Sequence, residues 1–313
     1  MTNSVWSLKD VTLAGRVRPR LDHVSLEIPA GVNAVMGSSG AGKSSLLGLL
    51  TDFEKPDTGT VAFYEPASKS SLPLFWSPQD DGLWPHLSVQ QHIEYVRPSK
   101  PRIDRSAVQW LDLFALGPQK DSLPELLSQG ERSRLAVART LASEAAVIVM
   151  DEPLVHVGLM LAHDCWEVIA DHIQHNCTAA VFSTHDPDTV LKYADNVICL
   201  QDGAAEFCGP VETLYWEPPT KTLAWLLGPC NWFDGDDDWP GCVRPSQLEV
   251  RPDPDGRYVV ESFVPAATVS ELKLRDRAFS ACRDVFVSRI ASEVRAGGAV
   301  QLAFLPRPDR QTS

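Results

Sequence analysis

The fold of this chain is indicated most clearly by one glycine-rich segment, Gly37-Ser38-Ser39-Gly40-Ala41-Gly42-Lys43-Ser44-Ser45. It fits the pattern G-x-x-x-x-G-K-[ST], whose glycines let the backbone curl until successive N–H groups point inward at a phosphate. The apolar run 32–36 before it predicts a buried parallel strand, and the leucine-rich run 44–51 after it predicts a helix. Strand, glycine-rich loop and helix in this order predict an α/β domain.

The whole loop, residues 37–45, is a candidate nucleotide-binding segment. Lys43 is expected to reach the β- and γ-phosphates of a nucleotide, and the hydroxyl of Ser44 is expected to bind Mg²⁺. A glycine- and serine-rich turn that merely matches the pattern is the alternative, and the predicted flanking strand and helix argue against it. On its own the loop indicates only a P-loop nucleotide-binding protein.

Two adjacent carboxylates follow a second apolar run. Asp151 and Glu152 come directly after residues 145–150, which predict another buried strand. Neighbouring carboxylates at the end of a buried strand are costly unless a cation or hydrogen bonds balance them. We therefore expect Asp151 to orient Mg²⁺ and Glu152 to polarise the water that attacks the γ-phosphate. A simple turn at the end of the strand is the alternative.

Composition and charge narrow the classes of protein that fit. The chain has 313 residues, of which 44% are hydrophobic and 22% charged, as is usual for a globular protein. Its net charge of -13 argues against nucleic-acid binding, which needs clustered Lys and Arg. Neither a signal sequence nor an apolar run of about 20 residues is evident, so we expect a cytoplasmic location. The 7 cysteines lack Cys-x-x-Cys spacing, which favours free thiols over a zinc site.

Several further motifs make residues 5 to 230 resemble the ABC transporter ATPase family. Gln79, in Trp76-Ser77-Pro78-Gln79-Asp80, matches the family's Q-loop, and His185, in Ser183-Thr184-His185-Asp186, matches its switch histidine. The segment Leu127-Ser128-Gln129-Gly130-Glu131 resembles the signature motif LSGGQ. The resemblance implies that Gln79 contacts Mg²⁺ and the attacking water, and that His185 contacts the γ-phosphate. Helix capping by Ser128 and Glu131 is an alternative explanation for the signature segment.

The resemblance also implies a dimer. In the family, the signature of one subunit meets the γ-phosphate held by the phosphate loop of the other, so two ATP molecules lie between two subunits. Ser128, Gln129, Gly130 and Glu131 are therefore candidate contacts to ATP bound by a second ATPase subunit, which is either the same chain or a different one. The expected cofactors are ATP and Mg²⁺.

The sequence departs from the family at three places. Gln129 and Glu131 are variants within the signature, and glycine stands at position 158, where the family's D-loop normally has an aspartate. This glycine puts communication between the two sites and the rate of hydrolysis in question. The family often stacks an aromatic residue on adenine, whereas the segment 15–19 offers only Arg16 or Arg18 for that role. Trp6 is predicted to lie in the core.

A second, smaller domain follows the cassette. We predict a cassette over 1–230 with a helical subdomain at about 88–140, a linker over 231–242 and a β-rich domain over 243–306. The run Gly241-Cys242-Val243-Arg244-Pro245-Ser246 resembles the entry to a TOBE domain, a small β-barrel typical of importer ATPases for oxyanions, sugars or polyamines. A generic β extension is the alternative.

The resulting functional hypothesis is an importer ATPase. It hydrolyses ATP and drives a separate membrane permease, to which it binds peripherally at the cytoplasmic face of the inner membrane. The expected cargo is a small solute such as an oxyanion, delivered by an extracytoplasmic solute-binding protein. The alternatives are an exporter ATPase, a non-transport ABC protein, and a degenerate or regulatory cassette that binds ATP with weak hydrolysis.

Overall fold

The computed structural model describes residues 4–66, 70, 72–233, 241–266, 268–278 and 281–307. Its contacts divide the chain into two compact units, Met1–Val211 and Glu212–Ser313. Within the described ranges, no helix is both long enough and apolar enough to cross a membrane.

The first unit combines two β-sheets with helices. Its strands in chain order are β1 (Ser4–Leu13), β2 (Leu21–Pro29), β3 (Gly31–Met36), β4 (Thr58–Phe63), β5 (Leu74–Ser77), β6 (Val147–Met150), β7 (Ala179–Ser183), β8 (Asn196–Gln201) and β9 (Ala204–Pro210). The helices of the chain are α1 (Lys43–Leu50), α2 (Val89–Val96), α3 (Ala107–Leu113), α4 (Gln129–Ala142), α5 (Leu159–Asn176), α6 (Pro187–Tyr193), α7 (Val211–Trp216) and α8 (Lys221–Leu226).

The larger sheet has the order β5-β6-β7-β3-β8-β9. Its first five strands run parallel, and β9 pairs antiparallel with β8 across a turn at Asp202 and Gly203. Both turn residues have positive φ (50° and 90°), a conformation that Asp-Gly pairs adopt in hairpin turns. Because neighbouring parallel strands end at the same edge of a sheet, the loops after β3, β5, β6 and β7 lie together.

A second, antiparallel sheet of order β2-β1-β4 covers the first unit's core. Val5, Val11 and Leu13 of β1 are buried, as their inward positions predict, and Trp6 is fully buried with its indole N–H donated to the carbonyl oxygen of Leu50 at 3.0 Å. The predicted core role of Trp6 is thereby confirmed, which removes it as a residue that could stack on a base.

The second unit contains a five-stranded antiparallel sheet. The strands of the whole second unit are β10 (Asn231–Trp232), β11 (Cys242–Val243), β12 (Leu248–Pro252), β13 (Tyr258–Val264), β14 (Ser270–Asp276), β15 (Cys282–Val287) and β16 (Ala299–Phe304). The five-stranded sheet has the order β12-β16-β13-β14-β15, and β10 pairs with β11. The predicted β-rich second domain is therefore present. Of the predicted linker 231–242, residues 234–240 lie outside the described residues.

Arg244 anchors the start of this second unit. The side chain is 1% exposed, and its guanidinium lies 4.1 Å above the ring of Tyr215. It donates hydrogen bonds to the backbone oxygens of Tyr215 at 2.8 Å, and of Ala224 and Gly228 at 3.1 Å each. An arginine fork can satisfy several helix-end carbonyls at once, which gives the Val-Arg-Pro segment a structural role.

Candidate functional site

The glycine-rich loop joins β3 to α1, as predicted. Gly37 and Gly42 have φ of 151° and 107°, and a side chain at either would approach a backbone oxygen, that of Leu200 at 2.3 Å or of Arg20 at 2.4 Å. Only glycine fits both positions without a shift of the backbone. Gly40 is exposed, and a side chain there would meet nothing within 4 Å. The loop lies at the N-terminus of α1 and lines a cavity, so it forms a cradle where anions can bind.

Lys43 is held at the rim of this cradle. Its side chain is 7% exposed, and Nζ donates to the backbone oxygens of Gly37 at 3.0 Å and Ser38 at 3.3 Å. Burial lowers the pKa of the Lys43 ammonium, and the carboxylates of Glu152 and Asp151 oppose that shift. The direct hydrogen bonds of this ammonium go to neutral carbonyls, so a phosphate oxygen would be a stronger partner for the charge.

Glu152 is the centre of the polar contacts at the site. Its Oε1 lies 2.7 Å from Nε2 of His185 and 3.9 Å from Nζ of Lys43. Its Oε2 accepts a hydrogen bond from Nε2 of Gln79 at 3.2 Å, and Nζ of Lys43 lies 3.1 Å from Nε2 of His185. The structure therefore brings together four side chains that the sequence singled out from four different loops.

Topology explains this convergence. Gln79 follows β5, Glu152 follows β6, His185 follows β7 and Lys43 opens the helix after β3, and these four strands are adjacent in the sheet. Open α/β sheets place their ligands at this carboxyl edge. A cavity of about 230 Å³ lies there, lined by Arg20, Ser39, Gly40, Gly42, Lys43, Ser44, Ser45, Gln79, Glu152 and His185.

Asp151 lies beside a second cavity that also contacts Ser44 and Gln79. The three residues supply carboxylate, hydroxyl and amide oxygens, the hard donors that Mg²⁺ prefers, and Asp151 is only 6% exposed. The set therefore fits a magnesium ion next to a phosphate. The cavity is also lined by Arg20, which donates to Ser45 Oγ at 3.4 Å and Glu54 Oε1 at 3.0 Å.

The signature-like segment lies at the N-terminus of α4. Ser128 caps this helix: its hydroxyl accepts from the N–H of Glu131 at 3.3 Å, and its own N–H donates to Oε2 of Glu131 at 2.8 Å. The capping alternative is thus part of the structure, and the bond from Ser128 lowers the pKa of Glu131. Within the described part of the chain, Ser128, Gln129, Gly130 and Glu131 are not among the residues that line the phosphate cavity.

Gly130 has a close neighbour in the loop after Glu152. A side chain there would lie 2.8 Å from the backbone oxygen of His156, whereas one at Gly158 would meet nothing within 4 Å. The loop around Gly158 exposes apolar side chains: Leu159 is 91% exposed, Met160 81% and Val155 57%. Position 158 therefore has room for the aspartate that the family pattern would place there.

Arg16 and Arg18, the two candidates for stacking on a base, are both exposed. Arg18 makes an ion pair with Asp202, and both side chains are more than half exposed. Position 16 is exposed, and Val17 beside it is 98% exposed. Sequence reasoning missed Arg20 and Ser183, which both touch the site; neither belongs to a spacing pattern that would have marked it.

The fold and the site define a P-loop nucleotide-binding protein. Residues 21–155 match the family described as ABC transporter. The chain is 33% identical over 243 residues to the sulfate/thiosulfate import ATP-binding protein CysA of Nephroselmis olivacea, covering 74% of this chain and 68% of that protein. It is 31% identical over 221 residues to the Fe(3+) ions import ATP-binding protein FbpC of Yersinia pestis bv. Antiqua (strain Antiqua), covering 66% of this chain. That match spans 63% of the length of the Yersinia protein.

Solved structures agree on the fold. A dimeric ATP-binding cassette in a post-hydrolysis state, bound to ADP and Pi, superposes with a TM-score of 0.55 at 22% identity over 66% of this chain and 98% of that one. A nucleotide-free cassette from an ABC transporter superposes with a TM-score of 0.57 at 19% identity over 71% of this chain and 98% of that one. The chain belongs to the ABC transporter family, as an ATP-binding protein with an additional C-terminal sheet.

Proposed function

We propose that this chain is the ATP-hydrolysing subunit of an ABC importer. The observation that carries the proposal is the meeting of Lys43, Glu152, His185 and Gln79 at the phosphate loop, with contacts between 2.7 and 3.9 Å. A cation that binds phosphate oxygens, a carboxylate that can accept a proton from water and a histidine beside that carboxylate together suit hydrolysis of a phosphoanhydride.

The proposed chemistry assigns one task to each group. Residues 37–45 bind the phosphates through backbone N–H groups, and Lys43 exchanges its carbonyl partners for phosphate oxygens. Glu152 orients the attacking water and accepts its proton, while His185 fixes the carboxylate and contacts the γ-phosphate. Ser44, Asp151 and Gln79 would hold Mg²⁺, which neutralises charge on the phosphates.

We further propose a dimer in which two nucleotides are bound between the subunits. Ser128, Gln129, Gly130 and Glu131 lie at a helix N-terminus, where hydroxyl, N–H groups and the helix dipole suit a γ-phosphate held by a second ATPase subunit. The exposed apolar side chains of Val155, Leu159 and Met160 support a protein contact beside the same site. We expect ATP-dependent dimerisation in sedimentation velocity of Glu152→Gln, a variant that should bind ATP without hydrolysing it. A monomer of this variant at saturating ATP would refute a dimer of two copies of this chain.

Import is proposed from the relatives and from the second unit. The curated relatives are named for import of ferric ions and of sulfate or thiosulfate. A TOBE-like β domain and a peripheral position on a permease at the cytoplasmic face of the inner membrane fit such a subunit, with an extracytoplasmic solute-binding protein as the third partner. Cells that lack this chain should lose uptake of the cargo; unchanged uptake of both sulfate and ferric ions would exclude these two solutes.

One observation favours a second candidate function. Position 158 is glycine and has open space around it, so the aspartate of the family pattern is missing for no steric reason. A regulatory cassette that binds ATP and hydrolyses it weakly would tolerate that loss. The Glu152 and His185 contacts favour hydrolysis over this alternative.

Lys43→Ala tests the proposal. The substitution removes the buried ammonium, and we expect it to weaken binding of Mg²⁺-ATP by at least about tenfold and to abolish phosphate release. Lys55→Ala, which removes an exposed lysine paired with Asp52, is the matched control and should change neither. Equal nucleotide affinity and turnover in the Lys43 variant would refute the assignment.

A further inference from the structure

Ser183 joins the two carboxylate residues of the site. It is the last residue of β7 and is fully buried. Its hydroxyl accepts a hydrogen bond from the backbone N–H of Glu152 at 2.8 Å and donates one to Oδ1 of Asp151 at 2.5 Å. A single hydroxyl is therefore the hydrogen-bond donor to Asp151 and the acceptor from Glu152, the two residues that directly follow the neighbouring strand β6.

The backbone at Glu152 needs such support. Its φ is 50°, and Leu154 two residues later has φ of 65°, so two non-glycine residues adopt the left-handed conformation in one short turn. Residues with a side chain avoid this region, and it persists where surrounding contacts fix it. The bond from the Glu152 N–H to Ser183 is a contact that fixes the turn at the residue whose side chain reaches His185 and Gln79.

The second bond restrains the neighbouring carboxylate. Asp151 accepts from Ser183 through Oδ1 and still lines the cavity that contacts Ser44 and Gln79. A hydrogen bond to one carboxylate oxygen fixes the orientation of the other, which is how outer-shell partners of metal ligands act. Without the hydroxyl, a buried N–H and a buried carboxylate oxygen would each lose a partner.

We infer that Ser183 is a positioning residue for the proposed ATPase reaction: it sets Asp151 for the metal and Glu152 for the water through one hydroxyl. The inference rests on the proposed function, because its consequence for turnover exists only if the chain hydrolyses ATP. The effect of Ser183 on Mg²⁺ binding, however, can be measured without turnover, from the Mg²⁺ dependence of nucleotide affinity.

The test compares three variants of the full chain. Ser183→Ala removes the hydroxyl, Ser183→Thr retains it, and Ser143→Ala is the matched control. Ser143 is also buried and also uses its hydroxyl once as donor, to Thr140 O at 2.6 Å, and once as acceptor, from Ala145 N at 3.3 Å. These bonds do not involve Asp151 or Glu152. The Ser143→Ala variant therefore measures how much stability is lost when a buried hydroxyl is removed without any change to the two carboxylates.

Four quantities are measured: kcat, the Mg²⁺ concentration for half-maximal turnover, the affinity for a fluorescent ATP analogue with and without Mg²⁺, and the melting temperature. For Ser183→Ala we expect kcat to fall by about tenfold or more, and the half-maximal Mg²⁺ concentration to rise by about threefold or more. Metal-free nucleotide affinity should stay within about twofold of wild type, since the phosphate loop is untouched. Ser183→Thr should recover most of the loss, and Ser143→Ala should lower the melting temperature alone.

The outcomes separate the inference from the proposed function. If the wild-type chain does not hydrolyse ATP, the proposed function fails. The positioning role is still supported if Mg²⁺ increases the nucleotide affinity of wild type but no longer does so in Ser183→Ala. If wild type turns over and Ser183→Ala keeps its kcat and Mg²⁺ dependence, the inference is overturned. It is equally overturned if Ser143→Ala reproduces both changes.

Discussion

Replacement of Glu152 by glutamine isolates the carboxylate charge at the site. Glutamine keeps the size of the side chain and one carbonyl oxygen to accept from Gln79 at the present 3.2 Å. It loses the charge that lies 2.7 Å from His185 Nε2 and 3.9 Å from Lys43 Nζ. The change is therefore close to isosteric, and its effect on turnover should report on proton transfer and water orientation.

The expected magnitude differs between binding and turnover. A positioned general base contributes about 100- to 10,000-fold, so kcat of Glu152→Gln should fall by that factor. At 3.9 Å the Lys43 attraction is worth about 4 kcal/mol at an effective dielectric of about 20, and the negative phosphates replace it when ATP binds. ATP affinity should accordingly stay within about threefold of wild type or improve.

The assay is phosphate release at saturating Mg²⁺-ATP together with a binding titration on the same preparation. Glu94→Gln, at an exposed carboxylate that accepts a bond from Gln90, controls for loss of one negative charge. Turnover of Glu152→Gln within about threefold of wild type would show that Glu152 is not the group that activates water.

Three further predictions concern single positions. Gly130→Ala should lower the free energy of unfolding by about 1–3 kcal/mol in a denaturant titration, because its Cβ would lie 2.8 Å from the His156 oxygen. Gly158→Ala should lower the free energy of unfolding by less, because its Cβ would meet nothing within 4 Å. Gly158→Asp should fold normally and change the ATPase rate of the dimer, and an unchanged rate would make the missing aspartate irrelevant. Burial and the nearby Arg105 lower the pKa of His172 from 6.5 to about 4. The unfolded chain therefore binds that proton more tightly, and stability should fall by up to about 3 kcal/mol as the pH drops from 6.5 toward 4; an equally steep fall in His172→Leu would contradict this.

The sequence was informative wherever a short pattern has a single physical meaning. The phosphate loop with its flanking strand and helix, and the apolar run before Asp151, each predicted an element that the structure contains. The strand β14 is harder to predict, because charged residues dominate its sequence Ser-Glu-Leu-Lys-Leu-Arg-Asp, although Leu272 and Leu274 are fully buried. Alternation over so few residues was too weak to distinguish a strand from a polar loop.

Contacts between distant residues could not be predicted in the same way. Ser183 ends an apolar run and carries no spacing signal, and its role depends on β7 lying next to β6. The left-handed backbone of Glu152 is likewise set by the surrounding fold rather than by a residue preference. Motif order singled out the loops whose side chains meet at the carboxyl edge of the sheet, whereas sheet order decides which of their atoms are in contact.

The proposal that this chain hydrolyses ATP is tested most directly by a single-turnover experiment on the wild-type full chain with Mg²⁺ and radiolabelled ATP. We expect bound ATP to be converted to ADP and phosphate, and we expect chelation of Mg²⁺ to stop the conversion while leaving nucleotide bound. Stoichiometric binding of ATP that is recovered intact would contradict the claim and identify the chain as a cassette that binds without hydrolysing.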